Sequence, residues 1–168
     1  MAKVQGRERL KQQLLAMPKE ARDQISAAME KSAEEVVRMA RSLVPVDQGD
    51  LKASIGWTWG AVPKGSITLG DVRRPTARAG DLKITVYAGD EKAFYARWVE
   101  FGTAPHNVAK GGGTKAGQRS MRGGGGRLHP GARAKPFFYP AYRAVKKTVK
   151  GRISRAVNAS AKAAAASS

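Results

Sequence analysis

From residue 18 to residue 44, apolar side chains recur at spacings of three and four: Ile25, Met29, Ala33, Val36, Val37, Ala40 and Leu43. Glu20, Arg22, Glu30, Lys31, Glu34, Arg38 and Arg41 fall on the other faces, which predicts one long amphipathic helix. Pro18 suits its first turn, and Pro45 stops it because the residue before a proline is pushed out of helical geometry. A shorter helix over residues 6–16, with Leu10, Leu14 and Leu15 as its apolar side, precedes it. After Pro45, Asp47 is placed to cap a short helix whose Leu51 and Ile55 face inward one turn apart. The period then changes to two. Trp57-Thr58-Trp59, Ser66-Ile67-Thr68-Leu69 and Leu82-Lys83-Ile84-Thr85-Val86-Tyr87 read as strands, punctuated by Gly60, Gly65, Gly70, Gly80 and Gly89. Residues 71–80, with Arg73, Arg74, Pro75 and Arg78, read as a cationic hairpin loop.

A helix over residues 93–101 follows, with Phe94, Trp98 and Phe101 on one stripe and Gly102 at its C-cap. Residues 104–134 hold Gly111-Gly112-Gly113 and Gly123-Gly124-Gly125-Gly126 and nothing able to build a core, so they read as a long mobile loop. Pro136-Phe137-Phe138-Tyr139-Pro140 re-anchors the chain. A last helix over residues 140–159 carries Phe138, Tyr142, Val145, Val149, Ile153 and Ala156 as its apolar stripe, with Gly151 weakening it and a frayed Ala/Ser tail beyond. The expected architecture is a single α+β domain spanning residues 1–168. A small antiparallel sheet packs on the long N-terminal helix, with a C-terminal helix beside it and a Gly/Arg-rich loop between.

Charge divides the chain sharply. Through Glu100 there are 17 Lys+Arg against 13 Asp+Glu; beyond it come 14 Lys+Arg and no carboxylate at all. A formal +18 on 168 residues calls for an acidic counterpart, whether nucleic acid, a phosphate-rich surface or an electronegative protein. The absence of cysteine excludes disulfides and thiolate chemistry, and His106 and His129 alone argue against a zinc or iron site. No apolar run approaches the roughly 20 residues that span a bilayer, and the first residues lack a signal-peptide stretch, so a cytoplasmic product is expected.

Catalytic readings find little support. Asp47 and Asp50 flank Gly49 and read as a cap and a turn rather than an acid/base pair. Asp90/Glu91 and Glu34/Glu35 are the other close acidic pairs, and neither has a histidine or further carboxylate spaced to help. Glu100, set between Val99 and Phe101, reads as the partner of an arginine, within the subunit or across a subunit boundary. Gly113-Thr114-Lys115 inverts the Gly-Lys-Ser/Thr order that a phosphate-binding loop requires. No enzyme and no cofactor is expected. The basic residues Arg73, Arg74, Arg78, Lys110, Lys115, Arg119, Arg122, Arg127, Arg133 and Lys135 suit contact with duplex backbone or with an acidic protein face. No aromatic lies between Ala104 and Lys135, which argues against base stacking.

Three stretches carry a family resemblance. Val44-Pro45-Val46-Asp47-Gln48-Gly49-Asp50-Leu51-Lys52-Ala53-Ser54-Ile55 resembles the "P-V-D-T-G-x-L-R-x-S-I" motif of a tailed-bacteriophage neck family, the lambdoid tail-completion, head–tail joining or gene-10-like minor tail proteins. Tyr95-Ala96-Arg97-Trp98-Val99-Glu100-Phe101-Gly102-Thr103 is similar to that family's "Y-A-x-Y-V-E-F-G-T". Lys135-Pro136-Phe137-Phe138-Tyr139-Pro140-Ala141 is similar to its "x-P-F-L-x-P-A". Gln48 and Trp98 depart from the usual Thr and Tyr, and the Gly/Arg loop is longer than the family's link. The resemblance implies a non-enzymatic virion protein of a phage, prophage-derived particle or gene transfer agent, assembled in the host cytoplasm. It further implies a ring, typically a hexamer, between head connector and tail tube, with DNA passing through its lumen. Trp98, Glu100, Phe101, Phe137, Phe138 and Tyr139 are then candidate subunit-interface residues, and a head-closure or connector protein and a tail-tube or tail-terminator protein are candidate partners. The alternative from charge alone is a sequence-independent DNA-binding protein.

Overall fold

The protein is described by a computed structural model, which defines residues 19–69, 82–107 and 128–166. The shorter helix expected over residues 6–16 and the hairpin loop over 71–80 lie outside them, as do residues 108–127 of the Gly/Arg-rich segment.

Helix α1 (Lys19–Leu43) buries Ile25, Ala33, Val36, Val37 and Ala40 of the expected stripe, and Ala21 with them; Met29 is only partly buried, and Leu43, in the last turn, is exposed. Glu20 in the first turn and Arg41 in the last complement its dipole. The turn after Pro45 differs from expectation in its cap. Helix α2 (Asp50–Ala53) starts from Gly49 in the left-handed region (φ 90°) with no side-chain cap, while Asp47 stays exposed. A glycine there lets the chain reverse sharply without Cβ strain. Leu51 and Ile55 are buried as expected. Ser54 Oγ donates to Leu51 O (2.8 Å) and accepts the Gly89 N–H (3.1 Å), fixing this turn to the sheet.

The strands are shorter than the sequence runs: β1 (Gly56–Thr58), β2 (Ile67–Thr68) and β3 (Thr85–Ala88). They form one antiparallel sheet in the order β1-β3-β2, with Trp57 opposite Val86 and Thr68 opposite Tyr87. Strand β3 is central, which is why Thr85, Val86 and Ala88 are buried. Trp59 Nε1 donates to Glu30 Oε1 (2.9 Å) and Arg41 Nη2 to Ile55 O (2.7 Å), tying the sheet edge to α1. Helix α3 (Ala96–Phe101) follows, then two short strands, β4 (His106–Asn107) and β5 (Leu128–His129).

Helix α4 (Phe138–Ala166) packs antiparallel to α1: Ser160 Oγ donates to Ala21 O (3.2 Å), and Arg152 meets Glu35 (2.5 Å) and Ser32 Oγ (3.2 Å). It runs to Ala166, beyond the expected end at residue 159. Two causes extend it: the Ala-rich sequence has the highest helix propensity, and Ser160 is wholly buried against α1. The core lies between α1, α4 and the sheet, with Phe137 and Phe138 as its largest fully buried side chains. The α+β layout expected from the order of elements is the one observed.

Candidate assembly surface

Glu100 organises the region where acidic sequence gives way to basic. It is 3% exposed, on the inner side of α3. Its Oε2 accepts the N–H groups of Phe137 (2.7 Å) and Phe138 (2.8 Å), and Oε1 accepts that of Tyr139 (3.1 Å). These are the unpaired donors that open α4, so a carboxylate from one helix caps the start of another nearly 40 residues on. The arginine partner expected for Glu100 is replaced by backbone amides. Lys135 N–H donates to Val99 O (2.8 Å), a second tie between the same two segments.

Gly102 then turns the chain away, at φ 72°, as the C-cap of α3. A Cβ there would stand 2.6 Å from Ala132 O and 2.8 Å from Ala134 N, so only glycine fits. Thr103 and Ala132 exchange backbone hydrogen bonds (2.9 and 3.1 Å), and beyond them His106 pairs with His129 and Asn107 with Leu128. The two imidazoles stack with centroids 5.0 Å apart. Residues 104–107 and 128–134 are therefore the limbs of a paired stem, where the sequence reading has only loop. The cue was faint: the limbs are separated by 20 Gly- and Lys/Arg-rich positions, and each strand is two residues long.

The six candidate interface residues separate by exposure. Phe137 and Phe138 have no exposed surface and belong to the subunit core, Glu100 is committed within the chain, and Tyr139 is half-buried against Phe101 (centroids 5.8 Å). Trp98 and Phe101 are 50% and 58% exposed. Phe94, one turn before Trp98 and in edge contact with it (5.4 Å), is 52% exposed, so the predicted stripe exists and faces outward. Asp90 Oδ1 pins the approach to this ridge by accepting the N–H groups of Lys92 (2.8 Å) and Ala93 (2.7 Å). The carboxylate thereby closes a turn.

Beside the ridge lies an open groove of about 380 Å³. Its floor and walls come from Pro45, Val46 and Leu51 on one side and Tyr95, Trp98 and Val99 on the other. Lys52, Arg133 and Lys135 stand at its rim, with Asp47 as a single carboxylate. Of the candidate contact residues for DNA or a partner, Arg133 and Lys135 are exposed here; Arg73, Arg74, Arg78, Lys110, Lys115, Arg119, Arg122 and Arg127 lie outside the described residues. Among the described residues no cluster of His, Asp or Glu has the makings of a metal site.

The family model described as "Bacteriophage HK97-gp10, putative tail-component" matches residues 8–102, more than half of the chain. The chain belongs to the HK97 gp10-like family. No curated protein and no solved structure matches it. The family match takes in the long helix, the Pro45–Ile55 turn, the sheet and the ridge helix, and it stops at Gly102, where the stem begins. As a phage tail component this HK97 gp10-like protein is a virion protein that interacts with other virion proteins. No helix among its described residues is long and apolar enough to cross a membrane.

Proposed function

We propose that this HK97 gp10-like protein is a structural subunit of the head–tail interface of a siphovirus-like particle. Copies of it form a ring, a hexamer by resemblance to the neck proteins, that completes the tail and joins it to the head connector around the DNA channel. The observation that carries the reading is the ridge of Phe94, Trp98 and Phe101: large aromatic side chains half or more exposed on α3 and the turn that enters it, with Glu100 tying the helix to the core. Aromatic residues presented in this way are enriched in protein–protein contacts and stabilise them by desolvation. Phe94 and Phe101 form the subunit contact, and the basic residues of 71–80 and 108–135 face the channel DNA or an adjoining acidic protein. The work is done by shape and charge, and no bond is made or broken. The DNA-binding alternative draws no support from the family match.

The test is a deletion of the gene followed by electron microscopy of the particles. Filled heads lacking joined, infectious tails are expected, with rescue by the wild-type chain and not by Phe101→Glu. Normal infectious particles after deletion would sink the reading.

A further inference from the structure

We infer that the groove between the Pro45–Lys52 turn and the ridge helix is the docking site for a second virion protein, and that it takes an acidic segment with large apolar anchors. The inference rests on the proposed place of this chain in a neck assembly and adds the partner's chemistry. Three observations point to that occupant.

The groove is apolar where it is deep. Leu51, Tyr95, Trp98 and Val99 line it, and Val46 continues that surface outward at 62% exposure. Its volume of about 380 Å³ lies in the range of sites that admit a few large side chains. Nothing in a duplex phosphate backbone would fill such a space.

Its rim is predominantly cationic, three positive charges against the one carboxylate of Asp47. Lys52, Arg133 and Lys135 surround the opening, and among the described residues none of them is ion-paired; the ion pairs seen there are Lys92 with Asp50 and Arg152 with Glu35. The backbone that carries Arg133 and Lys135 is held by the bonds of Ala132 to Thr103 and of Lys135 N–H to Val99 O. A rim of three cations favours carboxylates and speeds their encounter.

The chain itself is a poor occupant. It carries +18, and past Glu100 it has no acidic residue to offer a neighbouring copy's rim. A partner rich in Asp and Glu supplies both the complementary charge and relief of self-repulsion.

The test places the photo-cross-linker p-benzoylphenylalanine at Val46 of the full chain during particle assembly, with cross-linked peptides identified by mass spectrometry. The expected product joins this chain to a different virion protein, at a segment where Asp or Glu flanks large apolar residues. Arg133→Glu with Lys135→Glu should cut that yield by about tenfold, the scale of losing close charge pairs at an interface. Trp98→Ala should lower it several-fold, whereas Lys150→Glu, on the exposed side of α4, should leave it unchanged. Cross-links to a second copy, to DNA or to a segment without carboxylates would overturn the inference, as would none at all in particles that contain the chain. An equal loss with Lys150→Glu would reduce it to general charge attraction and overturn it too. In each of these cases the structural reading survives. Particles that assemble normally without any of this chain would instead overturn that reading, and the inference with it.

Discussion

Glu100 gathers the N–H groups of Phe137, Phe138 and Tyr139 on one buried carboxylate, so its removal leaves donors without water or a partner. Glu100→Ala is expected to destabilise the fold by about 3 kcal/mol, and Glu100→Gln, which keeps an acceptor oxygen, by about 1–2 kcal/mol. Urea denaturation of the purified variants measures both, and equal stability of Glu100→Ala and wild type would refute the capping role. Gly102→Ala meets a left-handed backbone and two backbone atoms closer than a Cβ tolerates. A loss of about 2 kcal/mol or more is expected in the same assay. The sequence shows that Glu100 needs a partner, because an acidic residue between Val99 and Phe101 is out of place. It does not show which partner, since the amides it binds belong to a helix whose start becomes adjacent only in the folded chain.

Helices α1 and α4 were legible because their apolar spacing is regular over many turns and prolines mark the ends nearest the sheet. The strands were legible in kind and too long in extent: Leu82 to Ile84 alternate like a strand, yet pairing begins at Thr85. Pairing depends on where β1 and β2 end, which alternation along one strand does not encode. Within α4, Gly151 sits in helical backbone with only Arg155 Nη1, 3.8 Å away, near the position a Cβ would take. Gly151→Ala should therefore stabilise the protein by about 0.5–1 kcal/mol, seen as a higher thermal midpoint; a lower midpoint would mean the glycine serves packing. The β4–β5 stem gives a further expectation. Replacing residues 108–127 by Asn-Gly would leave a two-residue hairpin between Asn107 and Leu128, with stability unchanged or raised by up to about 2 kcal/mol through easier closure. Circular dichroism melts check this, and loss of folding would show that the domain needs the excised segment.

At the level of the whole molecule, the sequence pointed to the family through motifs that the fold gathers near one another, and the match over residues 8–102 bears that out. It was less able to sort aromatic residues into core and surface. Phe137 and Phe138 carry the same kind of side chain as Phe94 and Phe101, and only the packing of α4 on α1 buries the first pair. Charge is distributed by element in the same way. The exposed residues of α4 include Arg143, Lys146, Lys147, Lys150, Arg155 and Lys162, with no Asp or Glu anywhere along its 29 residues. From Arg143 to Lys162, at about 1.5 Å per residue, these charges of one sign span roughly 30 Å. Two copies set back to back through this helix would oppose like charges, most densely over Arg143 to Lys150. Two-fold pairing by that face is therefore disfavoured, so any contact between copies is expected to leave this helix face clear.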